Sequence, residues 1–199
     1  MPKGFSKIEK ERINEKLILA AKQFMATHGF RKMSVEDLTK AAGISKGSFY
    51  QFYNSKDELC FEVMEQLEAE QRELISGSIL QPGMSAKEGF KQFLRQCFKL
   101  FETNPILSNF SKEDFEYLIR KLPEEKIAQH MKRDDDYFVR MVEDYTKQGV
   151  FRPCDPMAVS GLFRMIILTV INREDIGEDV YPQTMELFME MMTSYLVND

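Results

Sequence analysis

Apolar residues recur along the chain at three- and four-residue spacing between Pro and Gly punctuation, and no stretch alternates at a two-residue period long enough for a strand. The pattern predicts an all-α fold of about nine helices. The first runs from about Ile8 to Thr27, with Leu17, Ala20, Ala21 and Phe24 on one face, His28 in the last turn and Gly29 as the stop. Ser34 and Asp37 frame Val35–Ala42 as a capping box, and Gly43 ends that helix. Ser45 caps a third, short helix to about Tyr53, with Phe49 and Tyr53 facing inward. The Ser-x-x-acid signature returns at Ser55–Glu58, Ser85–Glu88 and Ser111–Asp114. The first of these opens a helix with Leu59, Val63, Leu67 and Leu74 near one face, fading at Gly77; the others open helices around Phe90–Phe101 and Phe115–Lys121. Pro123 starts a long helix to about Gln148, with Ile127, Met131, Phe138, Met141 and Tyr145 near one side. Asp155-Pro156 opens another to about Asn172, and a last helix spans about Gln183–Val197.

Composition places this pattern in one or two compact domains: 199 residues, 43% of them hydrophobic, are enough to bury a core. The natural division is residues 1–55, a small three-helix domain, and 56–199, a larger helical body. The net charge of -5 conceals an asymmetry. Residues 1–60 hold 11 Lys or Arg against 7 Asp or Glu, whereas the remainder holds 16 against 25. A basic first part on an acidic body is what a polyanion partner for the first part requires. The most apolar run, Leu162–Ile171, contains Arg164 and is too short for a bilayer, which needs roughly 20 residues, so no membrane partner is expected. Three cysteines without a Cys-x-x-Cys motif, and a charged Met1–Lys16 unlike a secretory leader, make a reducing cytoplasm the expected compartment.

The informative segment is SVEDLTKAAGISKGSFYQFYNSKDEL, residues 34–59. A short helix, a tight turn at Ala42-Gly43-Ile44 and a second short helix form a helix-turn-helix, whose second helix enters the major groove. Val35, Leu38 and Ala41 hold its first helix to the domain core, and Gly43 supplies the positive φ of the turn. Ser34, and Ser45, Lys46, Gly47 and Ser48 at the start of the second helix, are small or donor-bearing groups suited to phosphate. On the exposed side Lys46 and Tyr50 suit the DNA backbone, and Gln51, able to bond adenine bidentately, is the candidate base reader. Tyr53 and Lys56 complete the candidate DNA-binding set.

Ala20-Ala21 and Phe24, Gly29-Phe30, Ser34, Leu38, Ala41, Gly43, Ser45-Lys46-Gly47, Phe49-Tyr50, and Lys56 with Leu59 together resemble the TetR family of bacterial helix-turn-helix transcriptional regulators. The resemblance covers about the first 60 residues. It implies a homodimer whose last two helices pack into a four-helix bundle, and a ligand cavity inside each larger domain. One departure is at Phe52-Tyr53, where the family usually has His or Tyr and then Phe. A Phe52 facing the groove can touch a thymine methyl and has no hydroxyl for a phosphate.

The body, with much of the chain's 16 Phe and 13 Met, reads either as plain core or as the lining of a cavity for a small apolar or amphipathic effector. Phe93, Cys97, Phe101, Phe115, Tyr137, Met141 and Met165 are the candidate lining residues, with Cys97 as an inert thiol on an apolar stripe. The apolar helix near 157–172 and the last helix, 183–197, are the candidate dimer elements, through Phe163, Ile167, Ile171, Phe188, Met192 and Tyr195. His130 and the Asp134–Asp136 run read as a solvated face, and no cofactor motif, zinc spacing or catalytic triad is present, so neither metal nor enzyme activity is expected. The functional expectation is a repressor bound to a pseudo-palindromic double-stranded operator and released by an effector. The alternative is a constitutive or partner-controlled DNA-binding regulator without a small-molecule inducer.

Overall fold

The computed structural model of the chain describes residues 5–75 and 77–198. Ten α-helices follow one another among the described residues: α1 (Lys7–His28), α2 (Val35–Ala42), α3 (Lys46–Phe49), α4 (Lys56–Ile75), α5 (Ala86–Thr103), α6 (Lys112–Lys121), α7 (Glu124–Lys147), α8 (Pro156–Ile171), α9 (Arg173–Ile176) and α10 (Tyr181–Leu196). A 3-10 turn, Phe30–Lys32, follows α1, and one isolated antiparallel bridge joins Phe151 to Val197. The 3-10 turn and α9 escape the apolar periodicity because neither is long enough to show a repeat.

The serine boxes set the helix starts. At Ser34, Ser85 and Ser111 the hydroxyl accepts the N–H three residues on, and the carboxylate there accepts the serine's own N–H. A further box, Ser6 with Glu9, opens α1. Ser55 makes half of the motif: its hydroxyl accepts from Glu58 N–H, while the Glu58 carboxylate takes the Asn54 backbone and side-chain amides.

The chain forms two compact units. The first comprises residues up to Glu70 together with Asn104–Leu122; the second comprises Gln71–Thr103 and the residues from Pro123 onward. In the first, Leu17, Ala21, Met25, Leu38, Phe49, Leu59 and Val63 form the core. Ala41, expected to face inward, is exposed, and Thr39 and Ala42 occupy the buried positions of α2. The segment 104–122 is bound to the end of α1 by several different interactions. Phe30 lies between Phe110 and Tyr117 at 5.8 and 5.7 Å. Arg31 pairs with Asp114 at 2.6 Å, donates to the Glu113 carbonyl and sits over the Tyr117 ring. Asn109 donates to the Ala26 carbonyl.

The second unit is built on aromatic packing. Phe138 stacks on Phe163 at 4.3 Å, Phe93 meets Phe163 edge-on, and Phe90 meets Phe151 edge-on, with Met185, Met189, Met192 and Leu196 of α10 in the same cluster. Asp135 on α7 accepts from Ser160 and Arg164 on α8, and Arg95 and Lys91 on α5 pair with Glu186 and Glu190 on α10. The acidic run of α7 is thereby engaged, since Asp134 also pairs with Arg72 and Asp136 with Lys132. Leu74, expected on the inner face of α4, is instead one of the most exposed apolar side chains. At Gly89 on α5 the helix runs against the preceding turn: a Cβ there would lie 2.0 Å from the Ile79 carbonyl oxygen.

Candidate nucleic-acid interface

The turn between α2 and α3 depends on Gly43, which adopts φ 72° and ψ 35° and returns its N–H to the Lys40 and Thr39 carbonyls. An L side chain is disfavoured in this left-handed conformation, so glycine is the natural occupant. α3 itself is shorter than the sequence pattern suggests. Regular α-helix ends at Phe49, and the backbone reaches Tyr53 through tighter bonds, Gln51 N–H to Ser48 and Phe52 N–H to Phe49. Phe49 is the anchor: fully buried, it meets the rings of Tyr50 and Tyr53.

The expected DNA-contacting residues separate into two groups. Ser45, Lys46, Gly47, Tyr50 and Gln51 are exposed, and Ser48 is half-buried beside them. Lys46 lies 3.6 Å from Glu36, a long and solvated pair that phosphate can displace. Ser45 and Ser48 share a hydroxyl–hydroxyl bond of 2.9 Å that caps α3. A Cβ at Gly47 would meet only the Ser45 hydroxyl, at 3.9 Å, so nothing within the protein demands glycine there and the open space faces outward. Ser34 is exposed, but its hydroxyl is committed to Asp37, whose carboxyl is held below its usual range by the hydroxyl and backbone bonds from Ser34.

Two residues leave the candidate set. Tyr53 is 5% exposed and its hydroxyl donates to Asn14 at 2.7 Å, with burial raising its pKa and keeping the phenol protonated; it is a core residue of the domain. Lys56 donates from Nζ to the carbonyls of Phe30, Arg31 and Met33, at 3.2, 3.1 and 2.7 Å, closing the 3-10 turn after α1. A lysine with all three protons bound to carbonyls is not a phosphate ligand. We expect Lys56→Met to lower stability by about 1–3 kcal/mol while leaving the salt dependence of DNA binding unchanged. Thermal unfolding and the slope of log affinity against log salt check this. A slope flatter by about one would return Lys56 to the DNA contacts. Phe52 is half-buried against Phe5, ring centroids 6.2 Å apart, so it lacks the free exposure of a groove-facing side chain.

The remaining candidates fall in the second unit, with one exception. Phe93, Tyr137 and Met141 line a cavity of about 510 Å³ in this unit, with Ile75, Ile79 and Tyr145 and with Arg133, Arg140, Asp144 and Gln148 from α7. Tyr145, which the sequence places on the apolar side of this helix, and the polar residues Arg133, Arg140, Asp144 and Gln148 were not among the expected lining residues. Phe101 lines a smaller cavity, of about 280 Å³. Cys97 packs beside the core rather than lining either cavity, and burial pushes its thiol up to about 12. Phe115 belongs to the first unit, and Met165 is exposed on α8; neither lines either of these two cavities.

Of the expected dimer residues, Phe163 and Met192 are 3% and 4% exposed and form part of the unit's own core, so neither presents a surface to a partner. Ile167, Ile171 and Phe188 are half-buried. The exposed apolar stripes on the same two helices are Met157, Met165 and Leu168 on α8 and Leu187, Met191 and Tyr195 on α10. On α10 the buried set, Met185, Met189, Met192 and Leu196, occupies one helical face and the exposed set the other. The choice of helices stands apart from the choice of side chains, since an apolar helix offers two faces and the sequence does not say which is inward.

The family of bacterial regulatory proteins named for tetR matches residues 17–63, the span from α1 into α4. The chain is 24% identical over 159 residues to YhgD, an uncharacterized HTH-type transcriptional regulator of Bacillus subtilis, covering 79% of this chain and 82% of that protein. Among solved structures, a TetR-family transcriptional regulator of Pectobacterium atrosepticum aligns over 98% of this chain and 99% of its own, at 20% identity and a TM-score of 0.72. SmeT, the repressor of the Stenotrophomonas maltophilia multidrug efflux pump SmeDEF, aligns over 94% of this chain and 91% of its own, at 16% identity and a TM-score of 0.63. The likeness in fold thus extends over nearly the whole chain, while the match to the family model is confined to the helix-turn-helix region. With Gly43 in its left-handed turn and α3 held on its Phe49 anchor, residues 17–63 form a helix-turn-helix of the kind that the tetR family of bacterial regulatory proteins carries, and the chain as a whole has the fold of TetR-family transcriptional regulators.

Proposed function

We propose that this regulator is a homodimeric repressor that holds a pseudo-palindromic operator and releases it when a small apolar or amphipathic molecule enters the second unit. The observation that carries the reading is the 510 Å³ cavity, within the size range of small-molecule sites, with an apolar floor and a polar margin. SmeT, similar in fold, is itself a repressor. The exposed stripes of α8 and α10 supply the apolar surface that a second copy would cover. At the DNA, Lys46 and Tyr50 serve the phosphates, Ser45, Gly47 and Ser48 let the backbone approach, and Gln51 reads a base.

Release follows from linkage. The chain passes from one unit to the other within α4, after Glu70, so a ligand that favours one placement of this helix biases the position of α3. A coupling of about 1–3 kcal/mol changes operator affinity roughly 5- to 150-fold, and operator must weaken ligand binding by the same factor.

The test is selection of duplexes from a random library at two salt concentrations, followed by binding of two variants to the selected and scrambled sequences. A palindrome with two half-sites is expected. Lys46→Ala should weaken binding to both sequences and flatten the salt slope by about one, whereas Gln51→Ala should cost about 1–3 kcal/mol mainly on the selected site. Binding without sequence enrichment, or equal losses for Gln51→Ala on both duplexes, would remove the operator reading or the base-reading role respectively.

A further inference from the structure

The walls of the large cavity specify the kind of molecule it takes, on the reading that the cavity is the effector site. Its floor, Ile79, Phe93 and Met141, is hydrocarbon and aromatic. Its polar margin carries far more donors than acceptors. Neither the Tyr137 nor the Tyr145 hydroxyl has a hydrogen-bond partner among the described residues, and Arg140 has no carboxylate within ion-pair distance among them. Among the described lining residues the one acid, Asp144, lies 3.5 Å from Lys147 in an exposed pair and is outnumbered by two arginines. Arg133, two turns before Arg140 on α7, adds a second guanidinium to the same wall. A ligand that brings acceptors takes the place of water at the Tyr137 and Tyr145 hydroxyls, and the exposed Arg140 guanidinium favours one that brings negative charge. A cationic amphiphile would set its charge against these arginines.

From this arrangement we infer that the effector is an amphipathic organic anion, a carboxylate or similar acid on an apolar chain or ring, with the acid at Arg140 between Tyr137 and Tyr145 and the apolar part over Phe93. A neutral ligand of the same shape gains the floor but leaves the guanidinium without its counter-charge, a difference of roughly ten- to a hundredfold in affinity.

The test uses the full-length protein and matched probes: decanoate, decan-1-ol and decyltrimethylammonium, with 2-naphthoate and 2-naphthalenemethanol as the ring-bearing pair. Binding is measured by calorimetry, and operator release by fluorescence anisotropy. Decanoate or 2-naphthoate should bind at least tenfold more tightly than its neutral partner. Arg140→Gln should erase most of that difference while leaving the neutral probe unchanged. Because Arg140 is exposed, this change is compatible with folding, and Tyr145→Phe provides a second, milder variant that should weaken the anions more than their neutral partners. Neutral or cationic probes that bind equally well and release the operator would overturn the anion assignment and leave the ligand-responsive reading standing. A preference for the anions that survives in Arg140→Gln would also overturn the assignment. No binding by any probe would remove both the assignment and the effector site on which it rests.

Discussion

Gly89→Ala should cost about 3 kcal/mol or more, although alanine within a helix ordinarily stabilises by about 0.5–1 kcal/mol relative to glycine. The reversal of sign comes from one contact. The added Cβ would stand 2.0 Å from the Ile79 carbonyl oxygen, and neither the α5 backbone nor the turn carrying Ile79 is a flexible side-chain end that can swing aside. Ile79 and Phe90, next to Gly89, are both fully buried, so a shift that relieves the clash opens the aromatic core. For a chain of this size the loss corresponds to a fall in unfolding midpoint of roughly 6–12 °C, readable by far-ultraviolet circular dichroism. A midpoint at or above that of the parent protein would show that the turn can move away from α5 at little cost.

The second large effect is expected at Met191. Leu187, Met191 and Tyr195 stand one turn apart on α10 and are 62%, 62% and 67% exposed, a continuous apolar ridge on a helix whose other face is already packed. Met191→Glu should leave the subunit folded, because the side chain lies outside its core, and should leave it monomeric, since the change would set two carboxylates at the proposed two-fold interface. Sedimentation equilibrium reads the mass. Operator affinity should fall by about a hundredfold or more, since each half-site is then bound without the help of the other. A dimer of undiminished stability would place the subunit contact elsewhere, with the exposed α8 stripe of Met157, Met165 and Leu168 as the next surface to charge.

The sequence was informative where one local rule decides the outcome. Serine–acid spacing located the starts of α2, α4, α5 and α6, and Gly43 located the turn of the helix-turn-helix, because capping and left-handed backbone are properties of a few adjacent residues. It was less informative where two distant segments decide. The role of Lys56 depends on the carbonyls of a 3-10 turn more than twenty residues earlier, and the inward fate of the Tyr53 hydroxyl depends on Asn14 of α1. Periodicity likewise identifies an apolar helix without stating which face is inward, and that is why Phe163 and Met192 exchange places with Met165 and Met191. The cavity was half legible. Phe93, Tyr137 and Met141 follow from apolar and aromatic spacing on two helices, whereas Arg133, Arg140, Asp144 and Gln148 are charged or polar side chains that periodicity does not assign to a cavity.

The packing of Asn104–Leu122 against the end of α1 bears on how such regulators can be cut and recombined. The small DNA-reading body is continuous in space and discontinuous along the chain, with Phe30 and Arg31 covered by Phe110, Asp114 and Tyr117. An exchange of operator preference between two relatives by splicing their first 55 or 70 residues would pair each Phe30 and Arg31 with a foreign α6. A transplant that carries residues 104–122 along as a second piece keeps the recipient's reading head whole.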